Sequence, residues 1–360
     1  MSGTSMDSVD AALCRIADGR VEAVIAVFQQ RYPDALRQRL LELQRNPRTL
    51  LSLREYAGLD HAVAESFALA VTGVMAAANQ TAGSIRVIGS HGQTVFHDPT
   101  GVINSLQLGD PNWIAARCGV PVVADFRRAD IALGGQGAPL VPAYHIACFA
   151  HLAPCSVLNI GGIANLTLLN GGDSVRGFDT GPGNGLMDEW ISRKRSLGYD
   201  EDGAWAASGH VIPELLRACL NEPFFALEPP KSTGRDLFNL GWLERRYPDL
   251  AALAAQDVQS SLCELTARSV ATQLRQNAPT HRLLLVCGGG ARNTELMSRL
   301  QAALPELRVE STDAHGIDSA TVEAAAFAWL GWRLKEGLTG SIAGVTGASR
   351  SARLGGLFQP

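Results

Sequence analysis

The chain has 360 residues, 46% of them apolar and 18% charged, which is enough for about two globular domains and excludes a disordered or fibrous protein. Thirty-one Lys and Arg against 35 Asp and Glu give a net charge of -4, so no basic field exists to hold nucleic acid or anionic lipid, and an anionic ligand must be held locally. The longest apolar run, Ala324 to Leu330, falls far short of the ~20 residues of a membrane span, and the first residues carry no basic or apolar leader. Seven cysteines, none in a C-x-x-C pair, read as reduced thiols. These features predict a cytoplasmic protein with no membrane or nucleic-acid partner, no disulfide and no zinc site.

Strands are expected at Val9 to Ile16 and Val21 to Gln29, joined by an Asp18-Gly19 turn. Helical periodicity follows over Asp34 to Gln44 and Thr49 to Asn79, the latter interrupted by Gly58 and Gly73. Next come a strand Ile85 to Gly89, a polar loop, a helix Pro111 to Arg117 with Asp110 as its cap, and a strand Pro121 to Ala124. A second strand-rich opening covers Ser156 to Ile160, Ala164 to Leu169 and Ser174 to Phe178, a weak repeat of the first. Helices are expected at Gly183 to Arg195, Pro213 to Leu220 and Val258 to Asn277, followed by a strand Leu283 to Cys287. The last elements are a helix Thr294 to Ala303, a strand Leu307 to Val309 and a helix Ser319 to Lys335. Strands followed by alternating helices and strands predict α/β domains with mixed sheets and ligands at the strand ends. The domain boundary is drawn at residues 1–145 and 146–360, with the tail of the second packing back on the first.

The 37 glycines, about a tenth of the chain against a usual ~7%, collect at strand ends. Gly3-Thr4-Ser5-Met6-Asp7-Ser8-Val9-Asp10 is either a plain hairpin turn or a loop whose N-H groups and hydroxyls meet a phosphate while Asp7 holds a hydrated magnesium. It has no lysine, and no P-loop occurs in the chain. Gly161-Gly162 between two apolar strands leaves backbone open to close approach, or makes a tight hairpin. Asp179 ends a strand before Gly181, Gly183 and Gly185; it is a helix cap or a functional carboxylate, and a cap does not need three glycines. Gly288-Gly289-Gly290 follows a buried strand, but Asn293 replaces the third glycine of a dinucleotide fingerprint, which leaves a glycine platform for a base or ribose. His91 and His97 lack a third ligand at metal spacing. Glu323 inside an apolar helix must be paired or face a cleft, or else sit at an exposed helix end.

Taken in order, residues 1–7 (Met-Ser-Gly-Thr-Ser-Met-Asp), 90–94 (Ser-His-Gly-Gln-Thr), 159–165 (Asn-Ile-Gly-Gly-Ile-Ala-Asn), 178–184 (Phe-Asp-Thr-Gly-Pro-Gly-Asn) and 231–236 (Lys-Ser-Thr-Gly-Arg-Asp) resemble the anhydro-N-acetylmuramic acid kinase family, within the actin, hexokinase and Hsp70 ATPase superfamily. The resemblance runs from Met1 to the Val345-Thr346-Gly347-Ala348 tail. It implies two ribonuclease-H-like domains with a nucleotide cleft between them, and assembly as a homodimer. It also implies an enzyme that adds water at C1 of 1,6-anhydro-N-acetylmuramic acid while moving the γ-phosphate of ATP to O6, in cell-wall sugar recycling.

Carried onto this chain, the resemblance puts ATP phosphates and Mg2+ at Gly3, Thr4, Ser5, Met6, Asp7, Ser8, Val9 and Asp10, with Gly161, Gly162, Asn165, Gly181 and Gly183. It puts adenosine at Gly288, Gly289 and Asn293, the catalytic base at Asp179, and sugar contacts at His91, Thr94, Arg128 and Glu323, with Arg128 and Glu323 also serving the catalytic step. Because phosphorus captures the leaving O6, one ionised carboxylate replaces the usual acid and base pair; an ordinary Asp179 with a pKa near ~3.9 is charged at neutral pH. Two departures from the family carry expectations. The family has a strand leading into the phosphate loop, so this chain's Met1 reads as an internal methionine and its first sheet as lacking a central strand. Ser8 stands where the family has glycine, which predicts strain there if its φ is positive. The competing expectations are a kinase of another small sugar or carboxylate on the same fold, and a non-catalytic nucleotide switch.

Overall fold

The computed structural model describes every residue except Thr4, Ser5, Pro47 and Asp173, and all but the side chain of Arg45. In chain order the first elements are β1 (Ser8–Ala17), β2 (Arg20–Arg31), α1 (Asp34–Arg45), α2 (Leu53–Ala77), β3 (Ile88–Gly89), β4 (Gln93–Asp98), β5 (Asn104–Leu108), α3 (Pro111–Cys118), β6 (Val122–Ala124), α4 (Arg128–Ile131) and α5 (Pro142–Phe149). Then come β7 (Cys155–Ile160), β8 (Ile163–Leu169), β9 (Val175–Pro182), α6 (Gly185–Arg195), α7 (Ala204–Ala207), α8 (Pro213–Leu220), α9 (Leu240–Arg246), α10 (Ala255–Asn277), β10 (Leu283–Cys287), α11 (Thr294–Ala303) and β11 (Arg308–Ser311). The chain ends with α12 (Val322–Lys335), α13 (Ala343–Thr346) and β12 (Gly356–Phe358).

These elements form two units, Met1–Phe149 with Thr321–Pro360, and Ala150–Ala320. The division falls four residues beyond the boundary drawn from sequence, and the whole of 321–360, rather than a returning tail alone, counts with the first unit. In that unit β1 and β2 make an antiparallel ribbon. Separately, β6 lies between β3, to which it is parallel, and the antiparallel β12. Val63, Ala64, Phe67, Ala68, Ala70 and Val74 form the buried stripe of α2, which continues through Gly58 and Gly73 without a break. α2 is the one helix among the described residues with the length and mean hydropathy (1.2) of a membrane span. Its stripe is instead part of the unit's core with Met6, Val9, Leu108 and Ile114.

In the second unit the sheet order is β11-β10-β7-β8-β9, parallel across β11, β10 and β7 and antiparallel across β7, β8 and β9. β7 and β10 are buried at every position, as the unbroken apolar run of β10 requires of a strand covered on both faces; β7 buries Ser156 and Asn159 among its apolar residues. The long helix α10 contributes Val258, Leu262, Leu265, Val270 and Leu274 to the same core. The polar stretch after β3, which its composition marks as a loop, is in fact the β4-β5 hairpin. Its strands escape the usual pattern because two of its three buried positions, Gln93 and Ser105, are polar and only Leu108 is apolar.

Candidate functional site

In the second unit, three glycine segments meet. Gly161 and Gly162 are the two-residue tip of the β7-β8 hairpin. The start of α6 docks on that tip: the N-H groups of Gly183 and Gly185 donate to the Gly162 carbonyl at 3.0 and 3.1 Å, and that of Asn184 to Gly161 at 2.8 Å. A Cβ on Gly183 would lie 2.4 Å from the Gly161 oxygen and one on Gly185 2.8 Å from the Gly162 oxygen, so these two glycines serve backbone packing. Gly288, at φ +80°, and Gly290 press likewise against Asn159 and Ile160. Gly289 and Gly161 differ: their nearest neighbours to an added Cβ stand at 3.5 and 3.7 Å. They form a cradle that a side chain would fill, which suits close approach by a ligand.

Asp179 sits on β9 opposite Asn165 of β8. The register slips there, with Ala164 facing Gly181, so Thr180 is the extra residue of a bulge, a device that re-aims the neighbouring side chain. The 231–233 loop closes over this edge. The Asp179 N-H donates to the Lys231 carbonyl at 3.1 Å, and Thr233 N-H donates to Asp179 Oδ2 at 2.9 Å. Lys231 is itself buried, its ammonium donating to the Phe224 and Phe225 carbonyls and lying 4.8 Å from the Phe224 ring centre. Burial pushes the Asp179 carboxyl up to about 7, against the pull of Thr233 N-H and the Lys231 cation. The expectation of an ordinary, fully ionised aspartate is therefore corrected: at pH 7 about half the molecules carry the charge.

Asn293, expected at the adenosine, spends its side-chain oxygen capping α11 through Leu296 N-H at 2.9 Å and is buried.

In the first unit, Ser2 and Gly3 are held by Gln93, a buried side chain that sequence reasoning passes over although it lies within Ser-His-Gly-Gln-Thr. Ser2 Oγ donates to Gln93 Oε1 at 2.6 Å, and Gln93 Nε2 donates to the Gly3 carbonyl at 3.5 Å. Gly3 has open space around it. Met6 and Val9 are wholly buried and belong to the core, so their side chains are not available to a nucleotide. Left-handed backbone occurs at Met6, φ 53°, and not at Ser8, so the strain expected of Ser8 is absent. Ser8 Oγ instead donates to Asp10 Oδ1 at 3.3 Å. Thr4 and Ser5 lie outside the described residues. Asp7 is exposed and pairs with Arg37 at 2.5 Å. No group of three or more His, Cys, Asp or Glu gathers among the described residues. The carboxylates of this segment are Asp7, paired with Arg37, and Asp10, whose Oδ1 accepts from Ser8 Oγ and Gln29 Nε2; a magnesium bound here would be one carried mainly by phosphates and water.

His91 is buried, and its ring is committed on both sides. Nδ1 donates to the Gly92 carbonyl at 2.9 Å, and Nε2 accepts from Arg127 at 2.8 Å. Burial and the Arg127 cation hold it well below its ordinary pKa, hence neutral. Arg127 also donates to the Gly137 carbonyl at 2.7 Å. Burial lowers its pKa to about 10, while Glu323 favours its charge. Arg128, the arginine singled out from sequence, turns outward instead onto Asp125 at 2.6 Å. Thr94 accepts from Gln107 at 3.2 Å. Thus Arg127, His91 and Glu323 are brought together, and Arg128 is not.

The model of the family described as anhydro-N-acetylmuramic acid kinase matches residues 1–360. Three solved structures are similar to this chain at low identity. A Clostridium difficile activator of 2-hydroxyisocaproyl-CoA dehydratase with bound ADPNP is 8% identical, with a TM-score of 0.47, over 92% of this chain and 96% of that one. A Rhodospirillum rubrum xylulose kinase is 13% identical (TM-score 0.33, 71% of this chain and 52% of that one). A Thermus thermophilus ROK hexokinase is 14% identical (TM-score 0.28, 87% and 98%). Matched from its first residue to its last, the chain belongs to the anhydro-N-acetylmuramic acid kinase family, a family of phosphotransferases.

Proposed function

We propose that this protein is a cytoplasmic, ATP-dependent kinase that opens 1,6-anhydro-N-acetylmuramic acid with water and places phosphate on O6, giving N-acetylmuramic acid 6-phosphate for cell-wall sugar recycling. The observation that carries this reading is the state of Asp179. It is a half-buried carboxyl, held by a backbone N-H, with a pKa of about 7, on the same sheet as the glycine turns, in a chain whose whole length matches the family. A base whose pKa lies near the working pH combines a useful ionised fraction with real basicity.

In the proposed reaction Asp179 removes a proton from water as the oxygen bonds to C1. The C1–O6 bond breaks, and O6 forms its new bond to the γ-phosphorus of ATP as the bond to the ADP oxygen breaks. The proton rests on Asp179 until solvent takes it. In the second unit Gly161 and Gly289 leave the main chain open to a nucleotide, and in the first unit Gly3 has open space around it. Asp7 and Asp10 would be the carboxylates to hold a hydrated magnesium, which would neutralise phosphate charge. For the sugar, the geometry favours Arg127 with Glu323 and Thr94; His91 holds Arg127 in place, and Arg128 is left out. A homodimer is proposed on the family resemblance alone.

The test is a coupled ADP-release assay. The anhydro-sugar is expected to stimulate release and glucose is not; Asp179→Asn is expected to abolish turnover while ATP affinity stays within a few fold. Stimulation by glucose alone, or turnover retained by the variant, contradicts the proposal.

A further inference from the structure

The Val345-Thr346-Gly347-Ala348 tail takes no part in the reaction proposed for the site, yet Thr346 is buried and bonded to the loop that follows Arg127. Gly347, at φ +79°, ends α13 in a left-handed turn. Three hydrogen bonds fasten this turn to residues 130–136. Thr346 Oγ1 donates to Asp130 Oδ1 at 2.7 Å, Gln136 N-H to the Thr346 carbonyl at 2.8 Å, and Ser349 N-H to the Leu133 carbonyl at 2.9 Å.

Asp130 is wholly buried, and its Oδ2 accepts from Gly137 N-H at 2.8 Å. The loop wraps closely on this carboxylate: a Cβ on Gly135 would lie 2.2 Å from Asp130 Oδ2, and Gly137 sits at φ +65°. The carbonyl of the same Gly137 accepts from Arg127 Nη1 at 2.7 Å. A relay of hydrogen bonds therefore runs from Thr346 through Asp130 and Gly137 to Arg127 and His91, all within the first unit.

A guanidinium carries five N-H donors in one plane. Nε-H and one N-H of Nη2 converge on His91 Nε2, at 3.2 and 2.8 Å, and one N-H of Nη1 goes to Gly137. One N-H on each Nη is left for a ligand, and their direction is set by the two acceptors that fix the plane. Of those acceptors, the His91 ring is held by packing 4.5 Å from the Phe327 ring and by the Gly92 carbonyl. The Gly137 carbonyl has a different support. It belongs to a loop shaped by the Asp130 carboxylate, whose other oxygen is engaged by the Thr346 hydroxyl.

We propose that Thr346 and Asp130 are positioning residues for Arg127: the tail turn holds the 130–137 loop in the shape that presents the Gly137 carbonyl to the guanidinium, and so sets how tightly the sugar is bound. The inference rests on the reading of Arg127 as a sugar ligand. Position 346 needs a hydroxyl because the carboxylate oxygen facing it only accepts; serine supplies one, and valine sets a methyl there instead.

The test compares Thr346→Val with Thr346→Ser in the full chain, by kinetics and by NMR of the arginine Nε-H protons. The valine variant is expected to raise KM for the anhydro-sugar about fivefold, the scale of one hydrogen bond, with kcat and KM for ATP within about twofold of the parent. The serine variant should match the parent. In an Arg127→Lys background, which lacks the fork that spans Gly137 and His91, the valine substitution should add nothing to KM. The Arg127 Nε-H, assigned by its disappearance in Arg127→Lys, should exchange with solvent about tenfold faster in the valine variant and at the parent rate in the serine one. That exchange needs no sugar: a protein that turns over no anhydro-sugar refutes the kinase reading, and the NMR still decides the relay. A fall in Tm with sugar KM and Nε-H exchange unchanged makes the tail merely structural and overturns the proposal. A rise in KM that persists in full in the Arg127→Lys background overturns it too. Should the valine variant not fold, Thr346→Ala removes the hydroxyl without setting a methyl against Asp130, and the same results are expected of it.

Discussion

Replacing Asp179 with asparagine should stabilise this protein while silencing it, and the gain should grow with pH. The carboxyl's ordinary pKa is 3.8 and burial in the folded chain raises it to about 7. A raised acid pKa means that folding favours the protonated form. The cost of ionising in the fold is absent below 3.8, builds between 3.8 and 7, and is complete above 7. Three decades of acid dissociation at 1.36 kcal/mol each set the full cost at about 4 kcal/mol. At pH 5.5 about 2 kcal/mol of it is present and at pH 8 nearly all. The asparagine side chain cannot ionise, and its oxygen can still accept from Thr233 N-H. Urea unfolding of both proteins, followed by tryptophan fluorescence, should show the variant's advantage widening by about 2 kcal/mol from pH 5.5 to pH 8. An advantage independent of pH, or one that shrinks as pH rises, refutes a raised pKa at Asp179.

The same carboxyl predicts that kcat/KM rises about tenfold per pH unit below 7 and levels above it. Lys231→Met should move that midpoint upward, because the Lys231 cation pulls the Asp179 pKa down, while Lys231→Arg should keep it. Gly183→Ala forces a Cβ against the Gly161 carbonyl and should cost at least about 2 kcal/mol in thermal unfolding. Gly3→Ala meets open space, so it should leave Tm unchanged and weaken ATP binding in calorimetry. Arg127→Ala strips the donors from His91 Nε2 and the Gly137 carbonyl and should lower stability by roughly 2–3 kcal/mol. Arg128→Ala loses an exposed pair with Asp125 and should change it by less than about 1 kcal/mol.

Much of the fold is legible from periodicity alone. α8, α11 and β10 begin and end where the apolar pattern and its punctuation put them. The β4-β5 hairpin is not, because its buried positions carry Gln93 and Ser105: Gln93 is held by Ser2, far away in sequence, and Ser105 by His97 across the hairpin itself. The glycine loops announce a site but not the division of labour within it. Gly183 and Gly161 look alike in one dimension, and only the Gly161 carbonyl 2.4 Å from a would-be Cβ shows that the first is needed for packing. Arg127 bonds inward to His91 and Gly137 while its neighbour Arg128 pairs outward with Asp125, a choice between adjacent arginines that no spacing rule encodes. The Asp179 pKa is likewise out of reach of the sequence, since burial sets it and the loop that bonds its carboxylate lies more than fifty residues downstream.

The most direct measurement follows 1,6-anhydro-N-acetylmuramic acid, ATP and the protein in water enriched in oxygen-18, with products read promptly by mass spectrometry and phosphorus NMR. The expected product is N-acetylmuramic acid 6-phosphate bearing one heavy oxygen at C1, formed in equal amount with ADP and absent when Asp179 is replaced by asparagine. Heavy oxygen in released phosphate with the anhydro-sugar intact, or sugar opened without phosphate on O6, contradicts a reaction that joins water addition at C1 to phosphoryl transfer at O6.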